Sequence, residues 1–170
     1  VVGNNSDAII CTKIGGGSTG ITPDRVRSAA EASLRRLQRD YIDIYLLHNP
    51  TTEQISDPEI LDAMKALQFD GLIRTYGIAT LSAKQFEQMD ATLAGNEYSS
   101  VQVTLNIAEQ KAEHELLPRA LEQGIASIIR VPLGSGVLSG KYSRSTHFED
   151  NDRRSHGSFR EEVAKQMEGR

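Results

Sequence analysis

Two residues in this 170-residue chain have the types and positions for acid–base chemistry: Lys13 and His48. The segment "DYIDIYLLHNP", Asp40 to Pro50, carries a nearly continuous apolar run from Ile42 to Leu47. Such a run reads as a strand buried on both faces. It stops at His48, and Asn49-Pro50 turns the chain away. An earlier β-type run, "DAIICT" from Asp7 to Thr12, is followed at once by Lys13. Adjacent parallel strands lie about 4.8 Å apart, so the two exits could share one pocket. An ammonium there depresses the pKa of a neighbouring hydroxyl or imidazole, which is what proton transfer needs. Alone, Lys13 reads as a solvated loop cation and His48 as a core or rim histidine. Their matching positions favour function.

Gln102 and Asn106 lie an even number of residues apart on one strand, "SVQVTL" and its exit, and therefore on one face. A strand amide facing an interior needs partners: either a ligand carboxamide or a neighbouring backbone group. Arg130 lies near the end of the run "ASIIRV", Ala126 to Val131, and "PLGSGVLSGKY" follows from Pro132 to Tyr142. That segment fails the P-loop pattern, which needs glycine at Ser135 and a hydroxyl residue at Tyr142. Its flexible backbone could still cradle a pyrophosphate through amide groups, as readily as form a plain surface loop. His147, Glu149, Asp150, Asp152 and His156 match no familiar metal spacing, so no metal site is expected. Cys11, the one cysteine, reads as a small core residue rather than a nucleophile.

The elements that must position these groups alternate. Thr22-Pro23 starts a helix with an apolar stripe through Val26, Ala30, Leu34 and Leu37. Asp57-Pro58 starts another, with Ile60, Met64 and Leu67 on one face and Gly71 as its stop. "LIRTYGI" (Leu72 to Ile78) is the third strand, and Ser82 caps a helix carrying Phe86, Met89 and Leu93. The fourth strand is Ser100 to Leu105, a helix follows around Leu116–Glu122, and the fifth strand is Ala126 to Val131. A long polar loop spans 132–158, and a last helix is expected near Phe159. Strands alternating with helices mean a parallel sheet with right-handed crossovers. The strand exits (Lys13, His48, Ala79-Thr80, Asn106, Arg130), polar at four of five, favour a (β/α)8 barrel over a doubly wound sheet, even with the glycine-rich "KIGGGSTG" after the first strand.

Composition narrows the class further. The formal charge of -4, with both signs interspersed, provides no basic face, so no nucleic-acid partner is expected. No run approaches a membrane span, no signal-peptide pattern is expected from the opening residues, and one unpaired cysteine excludes a disulfide framework. A cytoplasmic setting and a single domain over 1–170 are expected.

With these residues laid out, the chain resembles the aldo-keto reductase family. "SLRRLQRDYIDIYLLHNP", "ALQFDGLIRTYGIATLS", "VQVTLN", "RVPLGSGVLSGKYS" and "HFEDNDRR" are similar to that family's successive motifs, in order. The resemblance implies a (β/α)8 barrel of TIM type that binds NADPH, with NADH as the alternative, and reduces an aldehyde or ketone by hydride transfer. It makes Lys13 and His48 two members of the catalytic tetrad, the histidine orienting the substrate carbonyl. Gln102 would hold the nicotinamide carboxamide, and Leu133 and Ser135 would lie along the pyrophosphate loop. Two positions depart from the pattern. Ala79-Thr80 stands where the family has Ser-Asn, leaving Thr80 as the cofactor contact there. Arg130 stands where a tyrosine often stacks on nicotinamide, a role a guanidinium plane can also fill.

A third departure concerns the proton donor. The family's Asp and Tyr precede the lysine strand, and none of the five tyrosines here occupies that place. The mapping assigns strands three to seven of eight to this chain, so the barrel is expected to be incomplete, unstable alone and prone to associate through open sheet edges. The competing readings are a non-catalytic or regulatory relative that binds a nicotinamide cofactor or a partner, and a barrel in which Lys13 forms a Schiff base.

Overall fold

The computed structural model describes residues 7–15, 20–79, 93, 97–143 and 145–156. Five strands, β1 (Cys11–Gly15), β2 (Ile42–His48), β3 (Ile73–Ala79), β4 (Ser100–Thr104) and β5 (Ala126–Arg130), form one sheet in chain order. Every neighbouring pair is parallel. Helix α1 (Pro23–Leu37) makes the first crossover; α2 (Thr52–Ser56) and α3 (Pro58–Phe69) make the second. Two short helices, Lys111–Glu115 and Leu117–Glu122, connect β4 to β5. The helix expected from Ser82, apart from buried Leu93, and the one near Phe159 lie outside the described residues.

Local chemistry sets these boundaries. Pro23 and Pro58 occupy first turns, where their missing N–H is harmless. Asp57 caps α3 by accepting from Glu59 and Ile60 N–H, and Gly71 past its end adopts φ 73°. Helix α2 has no apolar stripe to announce it; a reciprocal Thr51–Gln54 capping box starts it. The main core lies between sheet and helices, where Ile14, Tyr45, Leu47, Ile78, Val101 and Val103 meet Val26, Ala30, Met64 and Leu67. No helix among the described residues is long and apolar enough to cross a membrane.

The first strand is shifted from its expected position. Pairing runs Cys11↔Ile44 to Gly15↔His48, so Lys13 sits in mid-strand opposite Leu46 instead of at the exit. Upstream, Ile9 is 74% exposed, and the chain is tied to the sheet at Ile10, whose N–H donates to Asp43 Oδ2 at 2.9 Å. Asp43 also faces Arg39 and Arg74 at 3.6 and 3.3 Å, a charged knot at the lower end of the sheet. Cys11 is exposed, not a core residue. Alternation explains it: Ile14 enters the core, so Cys11, Lys13 and Gly15 take the opposite face of an outer strand.

That opposite face is concave. Lys13 on β1 and Gln102 on β4 are three strands apart, about 14 Å in a flat sheet. In a flat sheet both side chains would stand perpendicular to it and could not meet without lying along it at full stretch, yet Lys13 Nζ donates to Gln102 Oε1 at 2.9 Å. The sheet must curl to bring them together, as barrel strands do. Leu46 and Ala79 are buried on the floor of this curve.

Candidate active site

Register places the candidate side chains in two adjacent rows of the concave face. Lys13, Leu46, Gly77, Ser100 and Ala126 form one; Gly15, His48, Ala79, Gln102 and Ile128 form the next toward the strand ends. Thr104 and Arg130 continue beyond it. Four sequence-selected residues therefore converge: Lys13, His48, Gln102 and Arg130. Thr80 lies outside the described residues.

His48 is the last residue of β2 and is half-buried. Asn49 turns sharply with φ 51°, its N–H donating to Ala79 O at 2.7 Å, so the strand end is tied to β3. On the other side the neighbour is Gly15, whose hypothetical Cβ would lie 4.0 Å from His48 Nδ1. A larger side chain there would crowd the ring. Burial pushes the His48 pKa below its usual 6.5, and the charges of Lys13 and Arg130 push it further the same way. The imidazole is therefore neutral across the neutral range. It can orient a carbonyl oxygen or accept a hydrogen bond without adding a third positive charge.

This has a measurable consequence. As pH falls below 6.5, the unfolded chain takes up the His48 proton before the folded one, so this residue subtracts stability there. A proton NMR titration should place the His48 midpoint below 6.5, and Lys13→Met should raise it. A midpoint unmoved by that substitution would place the ammonium elsewhere.

The two amides part ways. Gln102 turns its oxygen to the Lys13 ammonium, leaving its NH2 as the end to offer a ligand. Asn106 instead serves the backbone: Oδ1 accepts from Ala108 and Glu109 N–H, and Nδ2 donates to Val131 O at 3.1 Å. Val131, β-branched at φ 56°, needs such support, because few side chains tolerate that region. Asn106 thus fixes how the chain leaves Arg130.

The loop beyond is bent through three successive positive φ values, 53° at Gly134, 56° at Ser135 and 94° at Gly136. Leu133, with φ -101° and ψ 16°, precedes them and is 58% exposed. A right-handed residue followed by left-handed ones forms a concave turn of the kind that binds anions. Gly134 and Gly136 N–H bond within the loop, to Val131 O and Leu133 O at 3.0 and 2.9 Å, so an anion would meet the Leu133 and Ser135 N–H groups. An amide, two cations and such a loop are a donor set suited to a carboxamide joined to a diphosphate.

The five tyrosines are all engaged elsewhere. Tyr45 and Tyr98 are buried, donate to Val26 O and Ile55 O, and are driven far above the usual phenol range by burial. Tyr76 packs edge-on against Tyr98, Tyr41 accepts from Arg74, and Tyr142 packs against Phe148. Cys11 stays protonated, since partial burial raises its thiol more than Lys13 lowers it. Among the described residues no group of three or more His, Cys, Asp and Glu is arranged to hold a metal.

Comparison with known proteins identifies the family. Residues 2–168 match the model of the Aldo/keto reductase family. Aldo-keto reductase YhdN of Bacillus subtilis is 35% identical over 132 residues, 78% of this chain and 39% of its own length. The NADH-specific methylglyoxal reductase of Escherichia coli is 32% identical, over 73% of this chain and 38% of its own. Among solved structures, the holo form of aldo-keto reductase AKR11C1 from Bacillus halodurans superposes with TM-score 0.69 at 31% identity, covering 85% of this chain and 48% of its own. The aldo/keto reductase of Klebsiella pneumoniae with NADP and acetate gives 0.65 at 27% identity, covering 81% and 48%. The chain thus spans about half the length of these solved relatives, or less.

Proposed function

Since this chain belongs to the aldo/keto reductase family, we propose that it forms the nicotinamide- and carbonyl-binding part of an oxidoreductase that reduces a small aldehyde or ketone to an alcohol. The observation that carries this reading is the convergence of Lys13, His48, Gln102 and Arg130 beside the positive-φ loop. NADPH is the cofactor proposed, with NADH as the alternative; the relatives include one named NADH-specific and a structure holding NADP. When bound, the cofactor supplies a hydride to the carbonyl carbon.

The chain's own residues divide the remaining work. Gln102 Nε2 donates to the carboxamide, while its oxygen stays with Lys13. Arg130 lays its guanidinium plane along an aromatic face. The loop through Leu133 and Ser135 turns its amides to the diphosphate. Neutral His48 orients the carbonyl oxygen. Lys13 stabilises the negative charge that develops on that oxygen and lowers the pKa of the hydroxyl acid that protonates it.

Aldehyde-dependent oxidation of NADPH and of NADH by the natural polypeptide carrying this sequence tests the proposal, with methylglyoxal as the probe. Turnover that His48→Ala abolishes supports it. Cofactor binding without turnover favours a second reading, a cofactor-binding protein without catalysis, which the engagement of all five tyrosines elsewhere motivates.

A further inference from the structure

A cluster of charged and aromatic side chains lies behind the loop. Arg154 Nε donates to Asp152 Oδ1 at 2.9 Å and Nη2 to Oδ2 at 2.5 Å, a two-pronged pair. Asp152 Oδ1 also accepts from the Arg154 backbone N–H at 2.9 Å. The guanidinium lies 4.8 Å from the Tyr142 ring centre and 4.3 Å from that of Phe148. Those two rings meet edge-to-face at 5.2 Å. The arginine is therefore fixed on one side by a carboxylate and on others by two rings.

Its remaining prong points at the loop. Nη1 donates to Ser135 O at 3.4 Å. Ser135 has a side chain and φ 56°, a conformation that needs outside support. The same peptide is held from its other end, where Gly136 N–H donates to Leu133 O at 2.9 Å. The Tyr142 ring closes the arrangement: a Cβ on Gly136 would lie 3.1 Å from it. The cluster thus grips consecutive loop residues, through a carbonyl and through a packed ring.

Resting on the function proposed above, we propose that Arg154 is a positioning residue for the dinucleotide: by holding the Ser135 carbonyl it sets the Leu133–Gly136 backbone in the shape that receives the diphosphate. Only arginine has the planar fork to bond Asp152 with two nitrogens and reach Ser135 with the third while lying against two rings. The pair stays charged at every ordinary pH, because Arg154 holds the Asp152 carboxyl down at about 2.

The test titrates NADPH, followed by its fluorescence, into the natural polypeptide as isolated and into its Arg154→Ala and Arg154→Lys variants. Both variants should bind NADPH on the order of tenfold more weakly, as expected when a charge-assisted contact that holds the loop is lost. The KM for NADPH should rise in step, with kcat at saturating cofactor changed by less than about twofold. Binding of reduced nicotinamide mononucleotide, which lacks the diphosphate, should be unchanged. Wild-type NADPH affinity in Arg154→Ala would overturn the positioning role, and so would equal losses for the dinucleotide and the mononucleotide. Should Arg154→Ala not fold, Arg154→Lys decides by the same criteria. A wild-type protein that binds no dinucleotide would instead refute the functional reading itself, and this proposal with it.

Discussion

Alanine at position 77 is expected to destabilise the protein by about 3 kcal/mol or more, the upper range for overpacking a tight interior. Gly77 faces the concave side of β3, in register with Ser100 on β4. A Cβ there would lie 2.1 Å from Ser100 O and 2.3 Å from Ser100 Oγ. The first of these atoms is backbone in a neighbouring strand, so no rotamer change relieves the clash and the strands must separate. Because Ala79 and Gln102 are paired one step further along, separation would also displace the amide that Lys13 holds. Chemical denaturation of the natural polypeptide and of Gly77→Ala measures the difference. A change below about 1 kcal/mol, the scale of an ordinary surface substitution, would mean that the two strands are not packed this closely.

Lys13→Met is expected to lower kcat/KM for a carbonyl substrate by roughly 10²- to 10⁴-fold, the range associated with losing a group that acts on proton transfer. Methionine keeps much of the side-chain length and packing while removing the charge, so the sheet should survive. Two effects combine at the site. The cation beside the developing oxyanion disappears, and His48 loses one of the charges that keep it neutral. The Gln102 oxygen also loses its partner, so some weakening of cofactor binding should accompany the loss. The rate effect should exceed the binding effect, since charge on the substrate oxygen develops fully only in the transition state. A variant whose NADPH affinity falls while kcat is preserved would make Lys13 a cofactor-orienting residue alone.

The fold was readable where burial dictates pattern. Apolar runs in β2, β3 and β4, and the proline and glycine signals around α1 and α3, appear in the sequence within a residue or two of their observed limits. Strand β1 was misplaced because "AII" resembles a buried strand, while the true pairing extends through polar Lys13 to Gly15. An outer strand is set by its neighbour's register, which a single run cannot reveal. The same cause put Cys11 in the core, since alternation says which residues share a face but not which face is covered.

At the site, types and spacing singled out Lys13 and His48, and the family resemblance added Gln102 and Arg130. They could not tell that Gln102 bonds across the curve to Lys13 while Asn106, on the same strand face, serves the backbone. That choice depends on curvature and on the strained exit at Val131. Arg154 was missed as a functional residue, although "HFEDNDRR" was legible as a family-like stretch. Its ring partner Tyr142 and its acceptor Ser135 lie twelve or more residues away in the chain, and no local pattern links them.

The reaction proposed for this concave face is hydride transfer to a carbonyl. Its most direct test is mass analysis of the alcohol made by the natural polypeptide from methylglyoxal and NADPH deuterated at the transferring C4 position. The account predicts that deuterium arrives on the former carbonyl carbon, and that Lys13→Met and His48→Ala suppress both transfer and cofactor oxidation. An alcohol free of deuterium, or transfer that survives both substitutions at full rate, would contradict it.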